Sequence, residues 1–170
     1  MIVQWNSAAV LSTTIGSPDD FCLFLSLVVR SGLMISHDWP WFVDFLGGAV
    51  FYSNNWPPLP AKLTVDEPSS PVTKGLPVSF ISPANEWYLW KPSPRLSKEV
   101  RVLVTLDPSN YPIGVKDVIP GGDLPVVWMN TKYRMIYVNM GHGKDGEKIY
   151  SDPIQNKLFA NAILWLGMRK

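Results

Sequence analysis

The stretch Val100 to Leu106, reading VRVLVTL, constrains the fold more than any other part of the chain. Val100, Val102, Val104 and Leu106 alternate with Arg101, Leu103 and Thr105, which is the two-residue period of a β-strand rich in β-branched side chains. The second face is mixed rather than polar, so this strand is expected to be buried on both sides. Asp107-Pro108-Ser109-Asn110 supplies the turn that ends it.

Other elements are read around that strand. Val126 to Met129 and Met135 to Met140 are apolar runs separated by Asn130 to Arg134, a spacing that predicts an antiparallel hairpin. Asp152-Pro153 offers a cap and a first-turn proline to a helix whose Ile154, Leu158, Phe159, Ala162 and Leu166 share one face, with Gly167 at its end. Asp38 to Leu46 predicts a short helix closed by Gly47-Gly48, and Ala61 to Val65 a strand. Nearer the start, Ser17 and Pro18 open a predicted helix running to about Arg30 and stopped by Gly32, with Leu33 to Ser36 as a short buried strand. Trp56 to Pro60, with three prolines, is expected to be loop, as are Pro68 to Pro77, turning on Gly75, and Asp117 to Gly122.

Length and charge narrow the class. A chain of 170 residues is expected to form one domain, 1–170, with a single core. Fifteen basic residues against fourteen acidic ones, with no run of like charge, argue against nucleic acid as a partner. Cys22 stands alone, which excludes an internal disulfide and a thiolate-built metal site and mildly favours a reducing compartment. The longest apolar stretch, Phe21 to Val29, falls short of the ~20 residues that cross a bilayer. No membrane association is expected, and the cytoplasm is the default location.

Six blocks in order carry a family resemblance. They are Pro71-Val72-Thr73-Lys74-Gly75-Leu76-Pro77, Asn85-Glu86-Trp87-Tyr88, Val102 to Asp107, Pro125-Val126-Val127-Trp128, Met135 to His142, and Ile163-Leu164-Trp165-Leu166-Gly167. Together they resemble the trehalose-utilisation (ThuA-like) family, from about Gly32 to the C-terminus. The resemblance implies an α/β fold of the class I glutamine amidotransferase-like (flavodoxin-like) kind, a three-layer arrangement of helices around a mostly parallel sheet. Here it would carry a C-terminal antiparallel hairpin, with residues 32–170 family-like and 1–31 atypical or truncated. It also implies a role in the use of trehalose or related disaccharides. The chain departs from the family where members carry a glycine-bearing turn and this one has Lys132-Tyr133-Arg134, and where Ser70 replaces a histidine. The segment Gly32 to His37 matches the family's glycine-rich, histidine-bearing strand end only in part.

Chemistry-bearing residues are few. His142, between Gly141 and Gly143 just after an apolar strand, sits where ligands collect beyond strand ends in α/β sheets, and it matches the family's block. Glu86 lies between Asn85 and the aromatic stretch Trp87-Tyr88-Leu89-Trp90, where burial would penalise its charged form and suit it to general acid or base work. Trp87 and Tyr88, with Trp90, are candidate stacking faces for a sugar ring, unless they fill core instead. Gly141 and His37 complete the expected substrate-binding set, and His37, Glu86 and His142 together would supply ligands for a divalent metal. Cys22 lacks the tight glycine-flanked turn of a glutaminase nucleophile, so amidotransferase chemistry is excluded, and no nucleophile elbow or phosphate-binding loop is present.

Three functions fit this pattern. One is a sugar-processing enzyme, hydrolase- or isomerase-like, using Glu86 and His142 on a disaccharide at the carboxyl ends of the strands. Another is a non-catalytic sugar-binding or regulatory module. The third is a truncated, inactive family member whose shortened first unit leaves a sheet edge open to homo-oligomer formation.

Overall fold

The computed structural model describes residues 2–5, 8–13, 23–27, 40–110, 123–140 and 151–168. The strand Val100–Leu106 (β8) occupies the middle of a five-stranded sheet. On one side it pairs with Pro125–Asn130 (β9), which pairs in turn with Met135–Val138 (β10); on the other it pairs with Leu59–Val65 (β5), and β5 with Ser79–Asn85 (β6). Val50–Asn54 (β4) and Tyr88–Lys91 (β7) form a separate two-stranded ribbon. Ile2–Trp5 (β1), Ala8–Thr13 (β2) and Leu23–Leu27 (β3) form a three-stranded sheet, and β3 comes within contact distance of β10. Two helices are described, Pro40–Phe45 (α1) and Pro153–Gly167 (α2).

The expected burial of β8 on both faces is found. Residues 102–106 are all buried, and their apolar side chains divide between two clusters, with strict alternation along β10 and irregular register where β8 meets β9. Ile136 and Val138 of β10 join Leu103, Val104 and Leu106 of β8 in the larger cluster, which α2 covers with Leu158, Ala162 and Leu166. Met135 and Tyr137 join Val102 and Trp128 in the second, which is closed by Phe42 and Phe45 of α1 and by Tyr88 and Trp90 of β7. Trp128 stacks on Tyr137 with centroids 3.9 Å apart, and Trp90 meets both rings edge-on.

The hairpin of β9 and β10 forms in antiparallel register, Met135 opposite Asn130 and Val138 opposite Val127, as the spacing predicts. Helix α2 starts where it is expected to. The Asp152 carboxylate accepts from the Gln155 N–H at 2.7 Å, which satisfies one orphan donor of the first turn, and Pro153 follows the cap. Helix α1 ends against β9. Asn130 donates through its amide to the carbonyls of Asp44 (2.9 Å) and Phe45 (3.0 Å), and Gly47 then turns the chain at φ +83°. A Cβ at Gly47 would fall 2.1 Å from Val100 Cγ2, so both the turn and the close approach to β8 require glycine.

Two expectations need correction. The helix expected from Pro18 to Arg30 gives way to strand β3 at its centre, paired with β2 from Ala9 opposite Leu27 to Thr13 opposite Leu23. A short apolar run reads equally as buried strand or helix, and pairing to a neighbour decides between them. The mostly parallel sheet implied by the resemblance is not what the described strands form, since every pairing among them is antiparallel. What stands is a mixed α/β architecture with a curled antiparallel sheet and few helices. The strand expected at Leu33–Ser36 and the loop expected at Asp117–Gly122 lie outside the described residues. Among the described residues, no helix is long and apolar enough to cross a membrane.

Candidate functional site

Glu86 lies at the junction between β6, which ends at Asn85, and β7, which begins at Tyr88, and so between the large sheet and the two-stranded ribbon. It is buried at 8% exposure. A carboxylate there must be partnered, and the Asn54 side-chain amide at the end of β4 donates to its Oε1.

The segment around it is held by asparagine amides at close quarters. Asn55 accepts the Trp87 backbone N–H on its Oδ1 at 2.6 Å and donates from its Nδ2 to the Pro57 carbonyl at 2.9 Å. Oriented to satisfy both neighbours, the Asn139 amide donates to the Glu86 carbonyl at 3.2 Å and accepts from the Tyr88 N–H at 2.6 Å. Asn85 folds back on its own turn, donating to the Ser82 hydroxyl (3.1 Å) and the Pro83 carbonyl (2.9 Å). Asn55, Asn85 and Asn139 are all buried. An asparagine side chain offers a donor and an acceptor in one plane, so it can replace a missing ladder bond where two sheets separate. The sequence reading missed Asn54, Asn55 and Asn139. The only signal available was an Asn-Asn pair ahead of a proline-rich loop.

Trp87 and Tyr88 do not offer the sugar-stacking faces expected of them. Trp87 is fully buried, with its indole N–H donating to the Leu59 carbonyl at 2.8 Å, and Tyr88 is 2% exposed against Phe51, with centroids 5.4 Å apart. Trp90 is likewise buried in the second cluster. Tyr88 and Trp90 fill core because β7 is buried along Tyr88 to Trp90, leaving only Lys91 outside, and Trp87 joins the larger core cluster just ahead of the strand.

His142, Gly141 and His37 lie outside the described residues, as does Cys22. The proposed metal triad is therefore described at Glu86 alone. Among the described residues no group of three His, Cys, Asp or Glu side chains could hold a metal ion.

An open cleft of about 370 Å³ lies elsewhere, between α1 and the turn before β8, lined by Pro40, Val43, Asp44, Gly47, Gly48, Ser97 and Glu99. Asp44 at its rim pairs with Lys132 at 2.6 Å and accepts from the Tyr133 hydroxyl. These two bonds, Lys132 first, hold its carboxyl below the usual range, while the same contact raises Lys132 and Tyr133. The group is solvent-facing and self-neutralised, a surface tie between α1 and the hairpin rather than a reactive site.

The described residues define a mixed α/β protein with one buried carboxylate held by side-chain amides where its sheets meet. The trehalose-utilisation family model matches residues 26–166, and the chain belongs to that family. A crystal structure of a ThuA-like protein from Bacteroides uniformis is similar at 58% sequence identity with a TM-score of 0.68, over 75% of this chain and 51% of that one. The chain thus spans about half the length of that solved relative. No curated protein matches it.

Proposed function

We propose that this chain acts in carbohydrate utilisation, on trehalose or a related disaccharide, with Glu86 as the acid or base of the site. The observation that carries the reading is a buried carboxylate fixed by Asn54 and seated in a segment that Asn55 and Asn139 hold rigid. A general acid or base must be held within hydrogen-bond reach of the proton it moves, and a carboxylate that is both buried and oriented meets that need. His142 is the proposed partner from the neighbouring block, in an acid/base or polarising role, with Gly141 and His37 completing the sugar site. The three-layer arrangement of the family belongs to the same proposal. In it the five-stranded sheet is the middle layer, α2 one cover, and α1 with the β4–β7 ribbon the other.

The test is Glu86→Gln, which keeps shape and the Asn54 contact while removing the titrating group. Turnover of a disaccharide by the wild-type chain, followed by chromatography of the sugars, is expected to fall about 100-fold or more in the variant, with sugar binding retained. Equal turnover in the two proteins would remove Glu86 from the chemistry. Saturable binding without turnover in either would turn the reading to a sugar-binding module.

A further inference from the structure

The loop Trp56-Pro57-Pro58 is tied at both ends to the residues that flank Glu86. Ahead of it, the Asn55 backbone N–H donates to the Trp87 carbonyl at 3.3 Å, and the Asn55 side chain accepts the Trp87 N–H at 2.6 Å. Behind it, Leu59 pairs with Asn85 in the sheet and its carbonyl accepts the Trp87 indole N–H at 2.8 Å. Asn85 and Trp87 are the immediate neighbours of Glu86, so the loop is anchored to both residues that flank it. The register gives the same answer. Asn54 pairs with Tyr88 and Asn55 bonds to Trp87, and one step further along the same register sets Trp56 opposite Glu86.

Trp56 is 68% exposed, while Trp87, Tyr88 and Trp90 nearby are buried. Its mount is stiff, because the two prolines after it fix their own φ and restrict the residue before each of them. An exposed aromatic plane on a stiff loop tied to the two neighbours of a buried, oriented carboxylate suits a pyranose, whose C–H face packs on a π-face while its hydroxyls meet polar groups.

We infer that Trp56 is the stacking platform of the sugar site, the role that buried Trp87 and Tyr88 cannot fill, and that it sets the specificity for a ring presenting a flat apolar face next to Glu86. This inference rests on the carbohydrate reading above, and the experiment separates the two.

The chain is labelled with 5-fluorotryptophan and titrated by fluorine NMR with trehalose, maltose, sucrose and glucose in the millimolar range. The resonance missing from Trp56→Phe is that of Trp56. It is expected to shift saturably with at least one sugar, whereas the resonance of Trp41, half-exposed on α1 and assigned in the same way, stays in place. Calorimetry on Trp56→Ala is expected to show binding weakened tenfold or more, with most of it restored in Trp56→Tyr, and circular dichroism confirms that each variant is folded. Sugar binding by the wild type that leaves the Trp56 resonance still, or that is as tight in Trp56→Ala, overturns the platform and leaves the carbohydrate reading intact. No binding of any of the four sugars overturns the reading and the platform together. If Trp56→Ala does not fold, the wild-type resonance decides alone.

Discussion

Tyr137 carries the most strongly placed ionisable group described in the chain. Its side chain is fully buried between Trp128 and Trp90, and neither its hydroxyl nor the Trp90 indole N–H makes a hydrogen bond among the described residues. Burial pushes the phenol well above its ordinary range, the nearby Tyr88 adds to this, and the Trp90 indole offsets it only in part. The sign follows from linkage. The folded protein holds the proton more tightly than the unfolded chain, so stability is unaffected below the unfolded value, about pH 10, and is lost as pH rises above it. Tyrosine absorbance near 295 nm should therefore show one phenol that ionises only together with unfolding. Tyr137→Phe should abolish that coupled step and move the alkaline midpoint upward at little cost near neutrality, because the hydroxyl it removes makes no good bond. A variant that unfolds at the same alkaline pH as the wild type would show that the buried phenol does not govern the transition.

Elements hold together here through side chains that finish what the backbone leaves open, and α2 is the clearest case. Asp152 closes its start, and at its other end Arg134, in the turn between β9 and β10, donates to the carbonyls of Leu166 (3.0 Å), Trp165 and Met168. The guanidinium also lies 4.9 Å from the Trp165 ring centroid. A cation at a helix C-terminus satisfies orphan carbonyls and complements the dipole. Arg134→Ala should cost about 1–3 kcal/mol, read as a fall in urea midpoint with unchanged slope, and Arg134→Lys should recover only part because an ammonium cannot fork between carbonyls. A fall no larger than that of a distant surface variant would show the contact to be decorative.

The same elements show what was legible in the sequence. Period and caps announced β8, the hairpin and α2, since each signal there is local and each burial pattern is its direct consequence. Strand β6 was not announced, because Pro83 sits inside it, and a proline is tolerated only where the strand is an edge, a fact of the sheet order rather than of the segment. The site was legible to a similar depth. A carboxylate among aromatics pointed correctly to a buried Glu86, but the same aromatics were candidate stacking faces and proved to be core. The amides that hold Glu86 were out of sight, since Asn54 stands 32 residues away and meets it only when β4 pairs with β7.

At the scale of the whole molecule, two neighbouring polar groups tie the centre of the large sheet to the loops around it. Across β5 and β8, Lys62 pairs with Asp107 at 2.8 Å, and the Thr64 hydroxyl donates weakly to the same carboxylate at 3.4 Å. One pair further on, the Thr105 hydroxyl donates to Asp66. Arg95, in the turn after β7, bridges Asp66 at 3.2 Å and Asp123 at 3.1 Å, and the Ser93 hydroxyl donates to Asp123 at 2.6 Å just ahead of β9. Burial works against the Arg95 charge, but the Asp123 and Asp66 carboxylates more than offset it and hold the guanidinium above its usual range. Asp107 is held well below the carboxylate range, first by the Lys62 ammonium and then by the Ser109 hydroxyl and N–H. A carboxylate whose folded value is depressed contributes stability that is present above its unfolded value, about pH 4, and is lost as pH falls through the folded one. The urea midpoint of the wild type should therefore drop steadily from pH 5 to pH 3. Asp107→Asn should start lower at pH 6 and drop less over that range, since the group that would take up the proton is gone. Because Lys62 is partly exposed, added salt should narrow the gap between the two proteins at pH 6. Parallel acid limbs in the two proteins would mean that Asp107 is not paired in solution. A gap that salt leaves untouched would mean that the Ser109 hydrogen bonds, rather than the ion pair with Lys62, hold the carboxylate in place.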